Sequence, residues 1–290
     1  MDVALALGGG GAKGVAHLGV LRGLQEMGFE IKAVAGTSAG GMAAAIFANG
    51  FSPDQMIEKF SQVNQDELYS FGLGPALLGM GGISKALNLF LTEEKFEDLQ
   101  IPCALTAVDI KDMREVTLTE GRVLDAVMAT IAIPGVFPPK EWDGHMLVDG
   151  GVLDPVPVQV ARSLAPGLPV IAVTLSPIPE KWKDLKQMDS IIERPILKPI
   201  ANLRVAQAFD IFVRSIDVMT HMLAEKRLEL EKPAVIIRPD VAHIAPLDKV
   251  DVIEVARLGD QAVAESSKDL RKLLNREKSF WEVLTGKGKH

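Results

Sequence analysis

Five apolar residues, Val3-Ala-Leu-Ala-Leu7, run directly into four glycines, Gly8 to Gly11. A short uncharged run bounded by turn residues fits a buried strand. Beyond the glycines, Ala16, Gly19, Val20 and Leu24 recur at helical spacing, and Gly28 closes that segment as a C-cap. Ile31–Gly36 repeats the buried strand, and Ala39–Ala48 repeats the helix up to Asn49-Gly50. Strand, helix, strand, helix from the first residues predicts a mainly parallel sheet covered by helices on both faces, an α/β fold.

The rest of the chain continues in the same style. Ser52-Pro53 is an N-cap with Pro at the first helical position and opens a helix through Val63. Thr92–Lys95 opens a short helix. Ala104–Ile110 and Glu115–Leu118 read as strands around the turn at residues 111–114, and Val123–Thr130 as a helix stopped by Pro134. Asp143-Gly144 lies between two strand-like runs, a hairpin signal, and the returning strand His145–Val148 delivers Asp149 to Gly150-Gly151. Val156–Leu164 reads as helix, Val170–Leu175 as strand, Ile200 to about Glu231 as a long helix, Ala234–Arg238 as strand and Val250–Ser266 as a closing helix. Without an interdomain linker, residues 1–275 form one catalytic domain, 176–232 a helical insertion or lid, and 276–290 a frayed tail.

Composition excludes several classes. Lys and Arg number 31 against 38 Asp and Glu, a net charge of −7, so no nucleic-acid partner is expected. A single cysteine, Cys103, forbids an intrachain disulfide and fits a reducing compartment. Asp2 stands where a signal peptide would be positive, and no run reaches the ~18 apolar residues of a spanning helix. A cytoplasmic protein is the corresponding expectation. Mean hydropathy is nonetheless +0.19, which points to apolar surface.

Three glycine-rich motifs, each at the end of a predicted strand, carry the chemistry. Ligands bind at that edge of open α/β sheets. Gly36-Thr-Ser38-Ala-Gly40 has the G-x-S-x-G spacing of a nucleophile elbow, whose small neighbours permit the sharp turn. Gly9-Gly-Gly-Ala-Lys-Gly14 lets successive N–H groups point into one cavity. Beside a nucleophilic Ser that cavity would hold an oxyanion, with Lys13 adding positive charge. The same loop satisfies the dinucleotide spacing G-x-G-x-x-G, but the second strand ends in Gly36-Thr37-Ser38 rather than in the acid that motif requires.

A nucleophilic Ser needs a base. His17 reads as a packed or surface residue, His145 belongs to the hairpin, His221 to the long helix and His290 to the tail. Only His243 suits the order Ser…Asp…His of α/β-hydrolases. Asp149 is the better candidate, because it follows an apolar strand end and two glycines let the chain turn away. Contact with the Ser hydroxyl in a dry site would raise its pKa and strengthen it as a base.

Together and in this order, the motifs resemble the patatin-like phospholipases, whose pattern is a G-G-G-x-K/R-G oxyanion loop, a G-x-S-x-G nucleophile and a D-G-G/A base. Ala132-Ile-Pro-Gly-Val-Phe-Pro-Pro139 and Val152-Leu-Asp-Pro-Val-Pro157 resemble the segments flanking the base, and the likeness covers roughly residues 3–175. The resemblance implies a three-layer α/β/α sandwich shared with acyl-carrier-protein acyltransferases, and a Ser38–Asp149 dyad without histidine, metal or cofactor. It places the oxyanion hole at Gly9, Gly10 and Gly11, and makes Gly14, Gly36, Gly40, Gly150 and Gly151 motif glycines with Lys13 in support. The implied reaction is hydrolysis of phospholipid or lysophospholipid esters through an acyl-enzyme. An acyltransferase using the same intermediate, and a non-catalytic lipid- or dinucleotide-binding module, are the alternatives. A homodimer is compatible with the sequence.

Lipid substrates come from an interface, which brings peripheral contact with the inner membrane face into view. Trp182, Ile191, Ile192, Ile196 and Leu197 interleave with Lys181, Lys183, Lys186, Arg194 and Lys198, a composition suited to an anionic lipid surface or to a lid or dimer contact. Gly72–Leu91 is a candidate lining for the acyl site. Val205, Phe209, Phe212, Ile216, Met219, Met222 and Leu223 fall at helical spacing and predict a core-facing stripe, with the wall of an acyl-chain tunnel as the alternative.

Overall fold

The computed structural model describes residues 1–71, 76, 78–182 and 204–284. Its strands are β1 (Asp2–Leu7), β2 (Glu30–Thr37), the short β3 (Ser70–Phe71) and β4 (Leu78–Gly79), β5 (Cys103–Asp109), β6 (Arg114–Leu118), β7 (Lys140–Trp142), β8 (His145–Asp149), β9 (Val170–Val173) and β10 (Val235–Ile237). The helices are α1 (Ala16–Glu26), α2 (Ala39–Ala48), α3 (Pro53–Ser61), α4 (Gly81–Leu87), α5 (Val123–Thr130), α6 (Val158–Leu164), α7 (Arg204–Glu231), α8 (Val252–Glu265) and α9 (Ser267–Leu284).

The main sheet runs β10-β9-β1-β2-β5-β8-β7, with β6 also paired to β5. β10, β9, β1, β2 and β5 are mutually parallel, whereas β6, β7 and β8 are antiparallel to their neighbours. The α/β expectation therefore holds, with a hairpin completing one edge. The alternation in Val3–Leu7 separates the layers. Val3, Leu5 and Leu7 belong to a large core shared with α1, α2, α5 and α8. Ala4 and Ala6, with Ala33 and Ala35 of β2, face Val158 and Ala161 of α6 and Ala224 and Leu228 of α7. Large residues fill one face, and alanines on the other let α6 lie close to the strands. The register slips between Val3 and Ala4, where the partners step from Ile31 to Ala33. Lys32 is thereby put out to solvent in a bulge.

α1 and α8 cross almost backbone on backbone. A Cβ on Gly19 would stand 1.8 Å from the Ala256 carbonyl oxygen, and one on Gly259 would stand 2.0 Å from that of Ala16. Helical glycine is unfavourable by about 1 kcal/mol relative to Ala, so this crossing is the physical reason for both residues.

Several boundaries shift. Residues 92–95 form no helix; Glu94 accepts from the Thr92 N–H, and the chain turns in a 3₁₀ segment at Phe96–Asp98. α9 carries on through Leu284, so the boundary at 275 falls inside a helix. The end of the stretch 176–232 is part of the helical layer, since Ala224 and Leu228 of α7 are buried. The stripe expected on the core side of that helix is instead partly in water: Phe212, Met219 and Met222 are 50%, 61% and 44% exposed. Ala224 and Leu228, toward the C-terminal end of α7, pack on the alanine face of the sheet, while Val213 packs against the large core and Ile216 lines a cavity. The interleaved residues at 183–203 and the glycines at 72–75 lie outside the described residues.

Candidate active site

Ser38 sits between β2 and α2 with φ 55° and ψ −125°, a region that costs a non-glycine residue of order 1–3 kcal/mol. Tight packing holds it there. A Cβ on Gly36 would meet the Gly40 carbonyl oxygen at 2.3 Å, and one on Gly40 would meet that of Leu7 at 2.2 Å. The first turn of α2 thus lies directly on β1 and β2, and only glycine fits at either side of the serine. The Ser38 side chain is placed at the N-terminus of α2, where the helix dipole favours developing negative charge.

The glycine loop packs against this elbow. A Cβ on Gly14 would come 2.4 Å from the Ala39 Cβ, and one on Gly9 3.2 Å from the Ser38 Cβ. Gly11 has φ +60°, and its would-be Cβ lies 2.3 Å from the Pro246 oxygen. That oxygen accepts the Ala12 N–H at 2.8 Å. The Gly9 N–H donates to the Pro155 carbonyl at 3.0 Å, so Gly9 cannot also serve as an oxyanion donor. Its part is close approach to Ser38. The N–H groups of Gly10 and Gly11 have no protein acceptor among the described residues and remain for an anion. His17, fully buried, bonds the Gly8 carbonyl through Nε2 at 2.8 Å. Burial lowers its pKa to about 4, so the ring is neutral and Nε2 carries the donated proton. Lys13 is buried as well. Burial lowers its pKa, while Asp217 and Asp248 oppose that shift.

Asp149 ends β8, and its own N–H is held by the Ala132 carbonyl at 2.9 Å. Its carboxylate accepts the Gly151 N–H at 2.8 Å and lines the same cavity as Ser38. Burial pushes its pKa up to about 6, against the lowering effect of Ser38 and the Gly151 N–H. A Cβ on Gly150 would lie 2.2 Å from Thr106 Oγ1, which explains the first glycine after the base.

Two cavities meet at Ser38. One, of about 170 Å³, is almost wholly apolar and runs past Met42, Phe60, Leu68 and Leu87 to Phe137. The other, of about 120 Å³, holds Asp149 and is walled by Lys13 and by Val213, Asp217, Thr220 and His221 of α7. Ile83 and Leu87 of α4 line the apolar cavity, so part of the 72–91 stretch does border the site. His221 was given no role by sequence reasoning. The available signal was its i, i+4 spacing from Asp217, and the two side chains approach to 3.8 Å. Burial lowers its pKa, with Asp217 opposing and Lys13 adding to the shift. His243 is exposed and lines neither cavity. His145 pairs with Asp109 at 2.5 Å in the hairpin region, also outside both cavities.

Residues 5–162 match the family model described as patatin-like phospholipase. An uncharacterized NTE family protein of Mycobacterium tuberculosis is 36% identical over 179 residues, which is 60% of this chain and 49% of that protein. A second from the same organism is 28% identical over 286 residues, 93% of this chain and 47% of its own length. Patatin-like phospholipase domain-containing protein 7 of Rattus norvegicus is 33% identical over 172 residues, 56% of this chain and 13% of the rat protein. The chain thus spans about half the length of the mycobacterial relatives. The crystal structure of VipD from Legionella pneumophila shares the fold, with TM-score 0.56 at 14% identity over 91% of this chain and 66% of that one. With more than half its length under the family model and the three glycine motifs at one sheet edge, this chain belongs to the patatin-like phospholipase family.

Proposed function

We propose that the chain hydrolyses carboxylic esters of phospholipids or lysophospholipids through a Ser38 acyl-enzyme, with Asp149 as the base. One observation carries the reading: a serine held at positive φ lines the same cavity as a buried carboxylate whose pKa burial has raised to about 6. A base near that value is strong enough to take the hydroxyl proton and is still ionised at neutral pH.

In the first step Ser38 Oγ attacks the ester carbonyl, and its proton passes to Asp149. The oxyanion is met by the N–H groups of Gly10 and Gly11; loss of one such donor typically costs about 3–4 kcal/mol. Collapse expels the alcohol, which takes the proton from Asp149. Water then enters, gives a proton to Asp149 and attacks the acyl carbon. When this second tetrahedral intermediate breaks down, Ser38 regains its proton from Asp149 and the fatty acid leaves. The apolar cavity suits the acyl chain, and the cavity walled by Lys13 and α7 suits the polar alcohol.

Delivery from a lipid surface belongs to the same proposal. Ile211, Val218, Met219 and Met222 stand 66%, 62%, 61% and 44% exposed on α7, the helix whose Val213 and Ile216 line the alcohol cavity. Among the described residues, no helix is long and apolar enough to cross a membrane.

Intact mass after fluorophosphonate treatment tests the chemistry. Wild type should gain one adduct, Ser38→Ala none, and Asp149→Asn should label slowly. A wild type unlabelled in the presence of liposomes would overturn the reading in favour of a binding module. Transfer of the acyl group to an added alcohol in preference to water would recast the enzyme as an acyltransferase.

A further inference from the structure

Three fully buried threonines lie beneath the dyad: Thr37, Thr106 and Thr130. Valine would pack about as well in each place, and a buried hydroxyl is costly unless it is hydrogen-bonded. All three are bonded, and together they form one chain. The Ser38 N–H donates to Thr130 Oγ1 at 2.9 Å. Thr130 Oγ1 donates to the Thr106 carbonyl at 2.6 Å. Thr37 Oγ1 donates to the Asp154 carbonyl at 2.7 Å. A hydroxyl has one proton, so the 2.7 Å contact between Thr106 and Thr37 must run from Thr106 to Thr37. Every proton direction is therefore set. The far end is anchored too, because the buried Asp154 carboxylate lies 3.2 Å from Nε of Arg227 on α7.

The same chain touches both halves of the dyad. Thr130 Cγ2 would be 2.8 Å from a Cβ on Gly41 in the first turn of α2, and Thr106 Oγ1 fills the space beneath Gly150. We infer that Thr130 and Thr106 are positioning residues: their hydroxyls hold the strained Ser38 backbone and the Asp149 turn in mutual register for proton transfer. The inference rests on the reading of Ser38 as nucleophile.

Thr130→Val removes donor and acceptor at nearly constant volume, whereas Thr130→Ser keeps both. The fluorophosphonate labelling rate and the kcat for a short soluble p-nitrophenyl ester should fall at least about tenfold in Thr130→Val, with KM within about twofold. Thr130→Ser should restore most of the rate. Amide exchange at Ser38, slow in the wild type, should become fast in the valine variant. Should Thr130→Val not fold, Thr37→Val breaks the chain two residues further along, beyond Thr106, and should lower the labelling rate about threefold. Unchanged labelling in the valine variants, or a serine variant as impaired as the valine one, overturns the positioning role while the dyad stands. An unlabelled wild type removes the dyad and the positioning role together.

Discussion

Ser38 and Asp149 both stand at the C-terminal end of a strand, with a glycine within the next two residues, yet the fold treats them differently. Ser38 follows a parallel strand and opens a helix, and its cost lies in the backbone, at φ 55°. Asp149 ends an antiparallel strand, and its cost is electrostatic: a carboxylate 6% exposed, with its pKa raised from 3.8 to about 6. At 1.36 kcal/mol per unit, that shift amounts to about 3 kcal/mol of destabilisation while the group is charged. Strain is fixed by local packing and is indifferent to pH, whereas burial of charge is relieved by a proton. Ser38 and Asp149 should therefore respond to different perturbations.

The largest expected effect separates activity from stability at the base. Asp149→Asn should lower kcat by about 10²–10⁴-fold and should stabilise the fold above pH 6. The sign follows from the raised folded pKa. The native state holds the proton more tightly than the unfolded chain, so the penalty is fully present above about pH 6 and disappears as the pH falls toward 3.8. Urea midpoints of the variant and wild type should differ at pH 8 and converge near pH 4. A gap that does not close with acid would show that the carboxylate carries no such penalty.

The elbow itself comes next. Gly40→Ala places a Cβ 2.2 Å from the Leu7 carbonyl oxygen, a backbone clash that should cost about 3 kcal/mol or more. Thermal unfolding that matched wild type would contradict the packing described for α2. Stepwise loss of activity with acid is a smaller and reversible effect. On a soluble ester, log kcat/KM should fall with unit slope below about pH 6, as Asp149 takes up a proton. A flat profile from pH 8 to 5 would assign the base role elsewhere.

A subtler comparison sets Ser38→Gly against Ser38→Ala. Both abolish labelling, but glycine tolerates positive φ and alanine does not. The glycine variant should be the more stable by about 1 kcal/mol, the reverse of the usual order. The smallest effect concerns α7. Replacing Val218 and Met219 by Ser should weaken liposome flotation several-fold while leaving hydrolysis of a soluble ester untouched. Unchanged flotation would move the lipid contact away from this face.

Sequence and structure agree where the signal is local. Three glycine motifs at three strand ends were legible because a sharp turn needs small residues wherever it occurs. Ser38, Asp149 and the alternating Val3–Leu7 strand were read from neighbours a few positions away. The errors lie where distant segments decide. Gly9 looked like Gly10 and Gly11 as an oxyanion donor, but its N–H is taken by Pro155, far along the chain. The stripe on α7 had core-like spacing, yet Phe212, Met219 and Met222 stand about half in water. Pro246 gave no signal of its own and His221 only its spacing from Asp217, and they reach the site because α7 and the loop before α8 fold back over the glycine loop.

The sequence by itself determined the strand–helix order, the sharp turn at Ser38, the glycine loop and the candidate pair Ser38 and Asp149, because each depends on backbone freedom and hydrophobic spacing over a few residues. Only the tertiary structure decided the raised pKa of Asp149, the close crossing of α1 and α8 through Gly19 and Gly259, the two cavities that meet at Ser38, and the threonine chain beneath Ser38 and Asp149. These depend on burial and on contacts between segments far apart in the chain; the bond from Thr37 to Asp154 alone spans 117 positions. Desolvation and directed proton sharing arise only once those segments have packed together and excluded water.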